Sequence, residues 1–363
     1  MLDPKRRPAV YLSVDRLIDR KLRTALEPQL ATRPALGFNL VSWAAETNTN
    51  PATWLEALAD IEALGVRRIT LVCYRFVDVD TGAITERSAH GLAAGPTLPV
   101  ITAVVAHGRA CGFDVGLSPF VEIDNVEGIG HLWRGSANFD QGGLSAFFSD
   151  YELYLQELAQ IARDAGASRL SIGSELRALT NNPQSASHWI RIIAGLRRSI
   201  GSKTSCALGY AANWDEFLDV PFWMELDEIG VDAYFPLASR EQAKGVARPS
   251  EAVLAGGWKR TFHILREFAQ RQQKPLTMSE WGTVPFDLTS CQPWHWQPTQ
   301  VRDPQEQFYC YRTLLRSIPR EREWLSACDL WHWRMPGNEE STYGIDGESG
   351  IAYDIRQYTT RTD

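Results

Sequence analysis

Short apolar runs alternate along most of the chain with longer stretches in which apolar residues recur every three or four positions. The short runs have the length and composition of buried strands, and the longer stretches have the period of helices that pack on one face. Eight runs predict strands, over residues 36–43, 66–76, 113–121, 170–175, 205–210, 228–235, 276–281 and 325–333. The stretches between them predict helices, over residues 51–64, 98–111, 145–165, 188–200, 253–273 and 304–318. Alternation of this kind pairs the strands in parallel through right-handed crossovers.

This order predicts the α/β class and a single (β/α)8 TIM barrel over residues 35–363, preceded by an N-terminal extension over residues 1–34. The extension holds a candidate amphipathic helix over residues 14–30, to which we assign no function. In a barrel of this type, the carboxyl ends of the strands and the loops after them form the active-site face. We therefore expect the functional residues of this chain where its strands end.

Composition and charge limit the kinds of molecule that such a barrel is expected to bind. A hydrophobic content of 44% with 22% charged residues provides a large core and argues against disorder. The net charge is −7 and the basic residues are dispersed, so we expect neither a nucleic acid nor an anionic membrane surface as a partner. No stretch is long and apolar enough to predict a membrane span. Many of the 13 Trp lie at predicted strand ends, where flat rings with a polar edge suit the faces of a neutral sugar.

The residue types that hold metals and cofactors show no grouping. Six cysteines and seven histidines are present, without a CxxC, HxH or HExxH spacing. We therefore predict no metal, no cofactor, and free thiols that act as small core residues. Free thiols, and an N-terminus without the apolar segment of a signal peptide, favour a cytoplasmic protein. Since the chain also lacks a GxSxG elbow, a GxGxxG fingerprint and a Walker loop, nucleophilic-serine, dinucleotide and P-loop enzymes are excluded.

Two glutamates, Glu175 and Glu280, each close an apolar run. A strand that ends on a glutamate delivers a carboxyl to the active-site face, and two carboxyls across one cleft are the minimum apparatus for cleaving a glycosidic bond. Each residue also has a structural interpretation. Glu175 could be a glutamate at a helix N-terminus that the helix dipole stabilises. Glu280 could be a buried carboxylate paired with Arg75 or Lys274.

Further polar and aromatic residues fall at other predicted strand ends. Tyr234 is a candidate for orienting Glu280 by a hydrogen bond, and Asp232 is either a site residue or a structural cap. Glu122 and Asp124 are rival carboxylates, more readily explained as ligands of sugar hydroxyls or of Arg134. Candidate sugar-binding residues include an amide, a guanidinium and several indoles: Asn213, Trp214, Trp133, Arg134, Trp281, Trp331 and Trp333.

These motifs, taken in order, resemble glycoside hydrolase family 113. The resemblance covers about residues 35–335 and includes Ile172-Gly-Ser-Glu-Leu, Ile229-Gly-Val-Asp-Ala-Tyr-Phe-Pro, Ser279-Glu-Trp-Gly and Trp331-His-Trp. It implies a retaining barrel enzyme active on β-mannans, with Glu175 as the acid/base and Glu280 as the nucleophile. The stretch around Glu175 is also similar to the barrel-like domain of phage-related gene transfer agents.

Two residues depart from the pattern that the resemblance implies. Ser174 stands where many enzymes of the clan place an Asn that holds the sugar 2-hydroxyl, and Trp281 follows the nucleophile where Ile is expected. We expect Ser174, a shorter polar arm than Asn, to reach the 2-hydroxyl weakly or through water and so to leave room around C2 of the sugar. We expect Trp281, with Trp331 or Trp333, to frame that sugar. The sequence thus predicts a retaining hydrolase of β-linked oligo- or polysaccharide, with β-mannan the leading candidate and transfer to another sugar also open. The alternative is a barrel that binds glycans without cleaving them, in an envelope or phage-like assembly.

Overall fold

The structure is a computed structural model that describes residues 33–86, 95–123, 133–201, 205–243, 248–336 and 341–360. Its strands are β1 (Ala35–Leu40), β2 (Arg68–Val77), β3 (Ile84–Thr85), β4 (Asp114–Ile123), β5 (Arg169–Ser174), β6 (Ala207–Asn213), β7 (Ile229–Asp232), β8 (Leu276–Trp281) and β9 (Leu325–Leu330). Its α-helices are α1 (Ala45–Thr49), α2 (Pro51–Glu62), α3 (Leu98–Ala110), α4 (Gln141–Ile161), α5 (Arg177–Thr180), α6 (Ala186–Ile200), α7 (Arg240–Ala243), α8 (Glu251–Gln272), α9 (Pro304–Ser317) and α10 (Gly350–Thr360).

Eight parallel strands form a closed barrel. The strands follow the order β1-β2-β4-β5-β6-β7-β8-β9, and β9 pairs with β1 to close the circle. The short strand β3 lies outside this circle and pairs antiparallel with β2. Helices cover the barrel, so the predicted (β/α)8 TIM barrel is confirmed. Because β3 is an addition, the fourth and seventh strands of the barrel itself are β5 and β8.

The apolar core lies between the barrel and its helices. Trp54 on α2, Trp189 on α6 and Trp258 on α8 are fully buried there. Helices α2, α4, α8 and α9 begin at side-chain caps that accept from backbone N–H groups. At the start of α4, Asp140 accepts from Gly143 N at 2.8 Å. This cap starts α4 earlier than its apolar periodicity predicts, because Asp140 satisfies an N–H group that the first turn leaves free.

The inside of the barrel is polar. At its lower end, Arg68 is buried and donates to Asp329 at 2.7 Å and to Asp114 at 2.6 Å. Gly37 packs against Asp329 so closely that any Cβ there would overlap it. Above these charges, a cavity of about 40 Å³ extends to the carboxyl ends of β7 and β8, where Glu280 forms part of its wall.

Outside the site, two sequence predictions have different outcomes, and one helix was not predicted. All six cysteines are free, as predicted. The N-terminal extension falls almost wholly outside the described residues. The C-terminal helix α10 was not predicted, although Ile351, Ile355 and Tyr358 carry a helical spacing and are buried. No helix in the described part of the chain is long and apolar enough to cross a membrane.

Candidate active site

Glu175 stands just beyond β5, in an uncommon backbone conformation. Its φ is 53°, in the left-handed region that costs a non-glycine residue about 1–3 kcal/mol. Its backbone N–H donates to Ala211 O on β6 at 2.8 Å, which holds the turn. The side chain is mostly buried. Strain of this kind is typical of a functional site, because the surroundings must hold the residue in place.

A buried triad that the sequence did not reveal supports this turn from behind. Tyr210 Oη accepts from Leu176 N at 2.7 Å and donates to Glu216 Oε1 at 2.7 Å. Glu216 also accepts from Thr180 Oγ1 at 2.8 Å, at the end of α5. Burial raises the pKa of Glu216 to about 7, although its hydrogen bonds lower it. The sequence prediction for this segment named Asn213 and Trp214, whereas Tyr210, which positions the turn, is buried in the core.

Glu280 lies near the end of β8 and is almost fully buried. Tyr234 Oη donates to its Oε2 at 3.1 Å, which is the contact predicted from the sequence. The structural interpretation of Glu280 is wrong, because Arg75 pairs with Glu86 at 3.5 Å and Lys274 donates to backbone carbonyls.

Trp133 and Arg134 both bind Glu175. Trp133 Nε1 donates to Glu175 Oε2 at 2.8 Å, and Arg134 Nη1 donates to the same oxygen at 3.0 Å. Arg134 also donates to Glu122 at 2.5 Å, and its guanidinium lies 4.0 Å from the centre of the Phe120 ring. Glu122 is thus the ligand of Arg134 that the sequence suggested, and the cation beside Glu175 is held on two sides.

Burial governs the electrostatics of both glutamates. It raises the pKa of Glu175, and the charge of Arg134 and the bond from Trp133 offset only part of that rise. Burial also raises the pKa of Glu280 well above its ordinary value, and the nearby carboxyls of Asp232 and Glu175 raise it further. Because the charge of Glu175 contributes to the raised pKa of Glu280, the two carboxyls lie close enough to interact. Both carboxyls therefore keep a proton to higher pH than free glutamates do.

Ser174 does not offer its hydroxyl to the cleft, which corrects the sequence prediction. The residue is only 1% exposed, and its Oγ donates to Asp232 Oδ2 at 3.2 Å. The turn at Glu175 places the preceding side chain inside the barrel, behind the site. Ser174 therefore cannot act as a short arm toward the sugar 2-hydroxyl.

Trp281 is also misplaced by the sequence prediction. It is fully buried among the helices, at 5.0 Å from Trp258 and 4.8 Å from Tyr311 between ring centres. The pairing of β8 with β9 shifts register between Met278 and Trp281, and both Ser279 and Glu280 line the barrel interior. A bulge of this kind breaks the alternation of side chains, so the residue after Glu280 faces outward.

The two indoles that follow β9, Trp331 and Trp333, also lie in different surroundings. Trp331 is half-buried and stacks on Phe120 at 5.9 Å with an interplanar angle of 10°. It also packs against the apolar cluster that contains Tyr234. Trp333 instead lies in the main core, edge-on to Phe38 at 5.1 Å. Trp331 is therefore the ring available at the cleft, and Trp333 as a sugar-binding residue is wrong.

The loop after β6 meets the loop after β8 at the rim. Trp214 is half-buried and stacks on Trp294 at 5.3 Å, and Trp294 is 44% exposed. Asn213 Oδ1 accepts from Trp214 N at 2.7 Å, so this amide shapes the turn that presents the ring. Trp214 packs against the same cluster as Trp331. An aromatic surface thus runs from the cleft to the rim.

The candidate Asp124 lies outside the described residues, and the histidine of the Trp331-His-Trp motif lies in the core. His332 is fully buried, with its ring nitrogens at 2.8 Å from Trp333 O and 2.7 Å from Ser341 Oγ. Among the described residues, no group of three His, Cys, Asp or Glu is arranged to hold a metal ion.

Two carboxyls at one end of a parallel barrel, each with its own donors, form an arrangement suited to glycosidic bond cleavage. The sequence model of Glycoside Hydrolase Family 113 matches residues 41–348. The chain belongs to glycoside hydrolase family 113. Family 113 membership makes it a glycoside hydrolase, and the predicted resemblance is confirmed. None of the curated proteins matches the sequence.

Solved structures of family 113 have the same fold. A GH113 β-1,4-mannanase in a complex structure is 17% identical, with a TM-score of 0.69, and the match covers 91% of this chain and 99% of that one. The GH113 β-mannanase AaManA from Alicyclobacillus acidocaldarius, in complex with ManMIm, is 22% identical, with a TM-score of 0.66 and coverage of 90% and 96%. Cel5A from Thermotoga maritima, in complex with mannotriose substrate, is 12% identical, with a TM-score of 0.56 and coverage of 92% and 99%.

Proposed function

We propose that this family 113 protein hydrolyses β-linked polysaccharide with retention of configuration, through Glu175 and Glu280. The observation that carries the proposal is the convergence of two buried carboxyls, each oriented by its own donors, at the carboxyl end of the barrel. Glu280 attacks the anomeric carbon, while the proton of Glu175 passes to the oxygen that leaves. Glu175 then takes a proton from the water that attacks the glycosyl–enzyme ester, which releases the sugar and restores both residues.

The environments of the two carboxyls have different consequences for the two steps. Among the described residues, Glu175 has two donors, one of them a cation, and Glu280 has one neutral donor. These donors favour a negative charge on Glu175, as the second step requires when this residue acts as a base. The first step requires the opposite distribution, with the proton on Glu175 and the charge on Glu280. Burial keeps the pKa of Glu175 raised despite its donors, which favours a proton on Glu175. Burial raises the pKa of Glu280 as well, so the charge on Glu280 is favoured only by Arg134 and by the bond from Tyr234, which lower that pKa.

A mannan-type polymer is the substrate class that we propose. Two similar structures are described as a β-1,4-mannanase and a β-mannanase, and Cel5A is described in complex with mannotriose substrate. The aromatic surface from Trp331 to Trp294 supports a substrate longer than one sugar, because indole rings stack on the C–H faces of pyranose rings. Because Trp294 remains 44% exposed in its stacked pair with Trp214, packing in the core does not explain the position of these rings.

The catalytic roles are tested by two alanine variants on two kinds of β-mannoside. Glu280→Ala is expected to lose the glycosyl–enzyme ester and to regain turnover with added azide, which gives a product of inverted configuration. Glu175→Ala is expected to lose most activity on substrates with poor leaving groups and least on activated aryl mannosides, because these need little protonation. Equal losses of Glu175→Ala on both substrates would contradict its role as the acid.

The substrate is tested with the unmodified protein. Soluble β-1,4-mannan, matched β-glucan and N-acetylated polymer are incubated with it, and the released sugars are separated by size. We expect mannan fragments of several lengths. A protein that binds one of these polymers but releases no sugar would instead support the alternative of a glycan-binding barrel.

A further inference from the structure

Asp232, at the end of β7, is a carboxyl for which the proposed mechanism has no use. It is fully buried. Its Oδ1 accepts from Ser279 Oγ at 2.7 Å, and its Oδ2 accepts from Ser174 Oγ at 3.2 Å. These two serines directly precede Glu280 and Glu175 in the chain. One side chain thus connects the residues next to both glutamates.

We propose that Asp232 is a positioning residue, a neutral carboxylic acid that ties Ser174 to Ser279 and thereby sets the separation of Glu175 and Glu280 from inside the barrel. The inference rests on the proposed function in that these two glutamates are the catalytic pair.

The strand pairing shows why such a tie is needed. Strands β5 and β8 are not neighbours, since β6 and β7 lie between them. Both strands lose regular register at their ends, between Ser171 and Ser174 on β5 and between Met278 and Trp281 on β8. Where a ladder is irregular, its hydrogen bonds no longer fix the direction of each side chain. The carboxyl of Asp232 supplies two bonds at these irregular points.

The surroundings of Asp232 favour the neutral form. The charged groups that act on it are Glu175 and Arg134, and Glu280 lies beside it in the pairing of β7 with β8. Burial raises the pKa of Asp232 well above its ordinary value and the charge of Glu175 adds to this rise, while the bonds from the serines and the more distant Arg134 oppose it. A serine hydroxyl can donate and accept, so both serines can also bond to a protonated carboxyl.

When Asp232 is protonated, the three neighbouring acids Asp232, Glu175 and Glu280 carry a single negative charge in the proposed mechanism, and it lies on one of the two glutamates. If Asp232 were ionised as well, its charge would make ionisation of Glu280 still harder, since like charges in a buried site raise each other's pKa. A neutral tie therefore orders the two glutamates without adding to the repulsion between them.

The kinetic test compares Asp232→Asn with Asp232→Ala, on whichever substrate the wild-type protein hydrolyses. Asparagine has the shape of a neutral carboxylic acid, so Asp232→Asn is expected to keep kcat within about threefold and both limbs of the pH profile in place. Asp232→Ala is expected to lower kcat about 100-fold, the size of effect that a small misplacement of catalytic groups produces. Its KM should hold within about threefold, because a fully buried side chain does not touch the sugar.

Serine variants separate the tie from general packing. Ser174→Ala and Ser279→Ala each remove one bond and should lower kcat less than Asp232→Ala does. Ser118→Ala, in the wall of the same cavity, is the matched control and should leave kcat unchanged. An Asp232→Asn variant as impaired as Asp232→Ala, or with both pH limbs moved to lower pH, would show that an ionised Asp232 is required and would overturn the proposal. Loss of thermal stability alone in Asp232→Ala, with kcat intact, would overturn it equally.

Two readouts do not depend on activity. The infrared spectrum of the wild-type protein at neutral pH should contain a protonated-carboxyl band that is missing in Asp232→Asn and present in Ser118→Ala. Crystal structures of Ser174→Ala and Ser279→Ala should show a changed separation of the two glutamate carboxyls. Absence of the band, or an unchanged separation, would refute the tie. If the wild-type protein cleaves no polysaccharide, the proposed function fails, and these two measurements still decide the role of Asp232.

Discussion

The positive charge of Arg134 lowers the pKa of both catalytic candidates, Glu175 and Glu280. Arg134 also bonds directly to Glu175. Removing a cation from beside two carboxyls makes ionisation of each harder, so their pKa values rise. The charge at this one position therefore sets the pH range in which the pair works.

Substitution of Arg134 is expected to move the pH profile of kcat/KM. In Arg134→Gln, the acid limb, set by ionisation of Glu280, and the alkaline limb, set by loss of the proton from Glu175, should both shift to higher pH. Arg134→Lys keeps the charge and should shift them less. Profiles of wild type and both variants provide the measurement, and limbs that stay in place in Arg134→Gln would contradict the role given to this cation.

Two tryptophans allow a second comparison between single residues. Trp281 is fully buried, so Trp281→Ala is expected to cost about 3–5 kcal/mol in free energy of unfolding, with little change in KM. Trp331 is half-buried at the cleft, so Trp331→Ala should raise KM severalfold at a smaller cost in stability. Denaturant unfolding and kinetics of the two variants would show this division. A raised KM with little loss of stability in Trp281→Ala would show that Trp281 does contact the sugar.

Among the structural elements, the loop between β8 and α9 carries the rim indole Trp294. Trp294→Ala is expected to raise KM for long mannan oligosaccharides severalfold, since stacking on an aromatic ring contributes about 0.5–1.5 kcal/mol. KM for an aryl monosaccharide should not change. Tyr353→Ala, an exposed aromatic position on α10, serves as the control. Equal effects on short and long substrates would place Trp294 outside the binding surface.

The turn between β5 and α5 depends on Glu216, whose pKa is raised to about 7. In the unfolded chain this carboxyl ionises near its ordinary pKa of 4.5, while in the folded protein it keeps its proton to higher pH. Its contribution to stability is therefore complete below about pH 4.5 and is lost progressively up to about pH 7, by about 3 kcal/mol in total. Glu216→Gln should lack this loss. Unfolding free energies of both proteins across that range provide the test, and parallel curves would contradict the raised pKa.

At the level of elements, periodicity was sufficient to place every strand of the barrel and both glutamates at strand ends. It could not place Trp281, because the bulge in β8 depends on pairing with β9 and not on local sequence. Nor could it show that Ser174 faces Asp232, since the direction of a side chain next to a strained turn is set by the whole barrel. The support from Glu216 was missed for a similar reason: a lone glutamate in a loop has no signal of burial.

For the molecule as a whole, the ion network at the lower end of the barrel joins strands that are far apart in sequence. Asp329 on β9 accepts from Arg68 on β2 at 2.7 Å, and both are buried. Asp329→Ala leaves this cation short of its partner and is expected to cost about 3–5 kcal/mol in free energy of unfolding. KM and kcat at low temperature should be close to those of wild type, because Arg68 bonds to Asp329 and to Asp114, not to the groups that orient Glu175 and Glu280. A change in stability below about 1 kcal/mol would show that the pair is solvated and weak.

The closing seam of the barrel has a consequence for synthesis of the chain on the ribosome. Ala35 on β1 pairs with Ala327 on β9, and Tyr358 on α10 donates to Pro34 O at 2.6 Å. On the ribosome, β1 is therefore made long before β9. Translation of the residues between these two strands takes roughly 15–60 s at about 5–20 residues per second. During that time β1 has an open edge, of the kind that pairs with other chains. Newly made protein therefore depends on protection of its first strand until its last strand emerges.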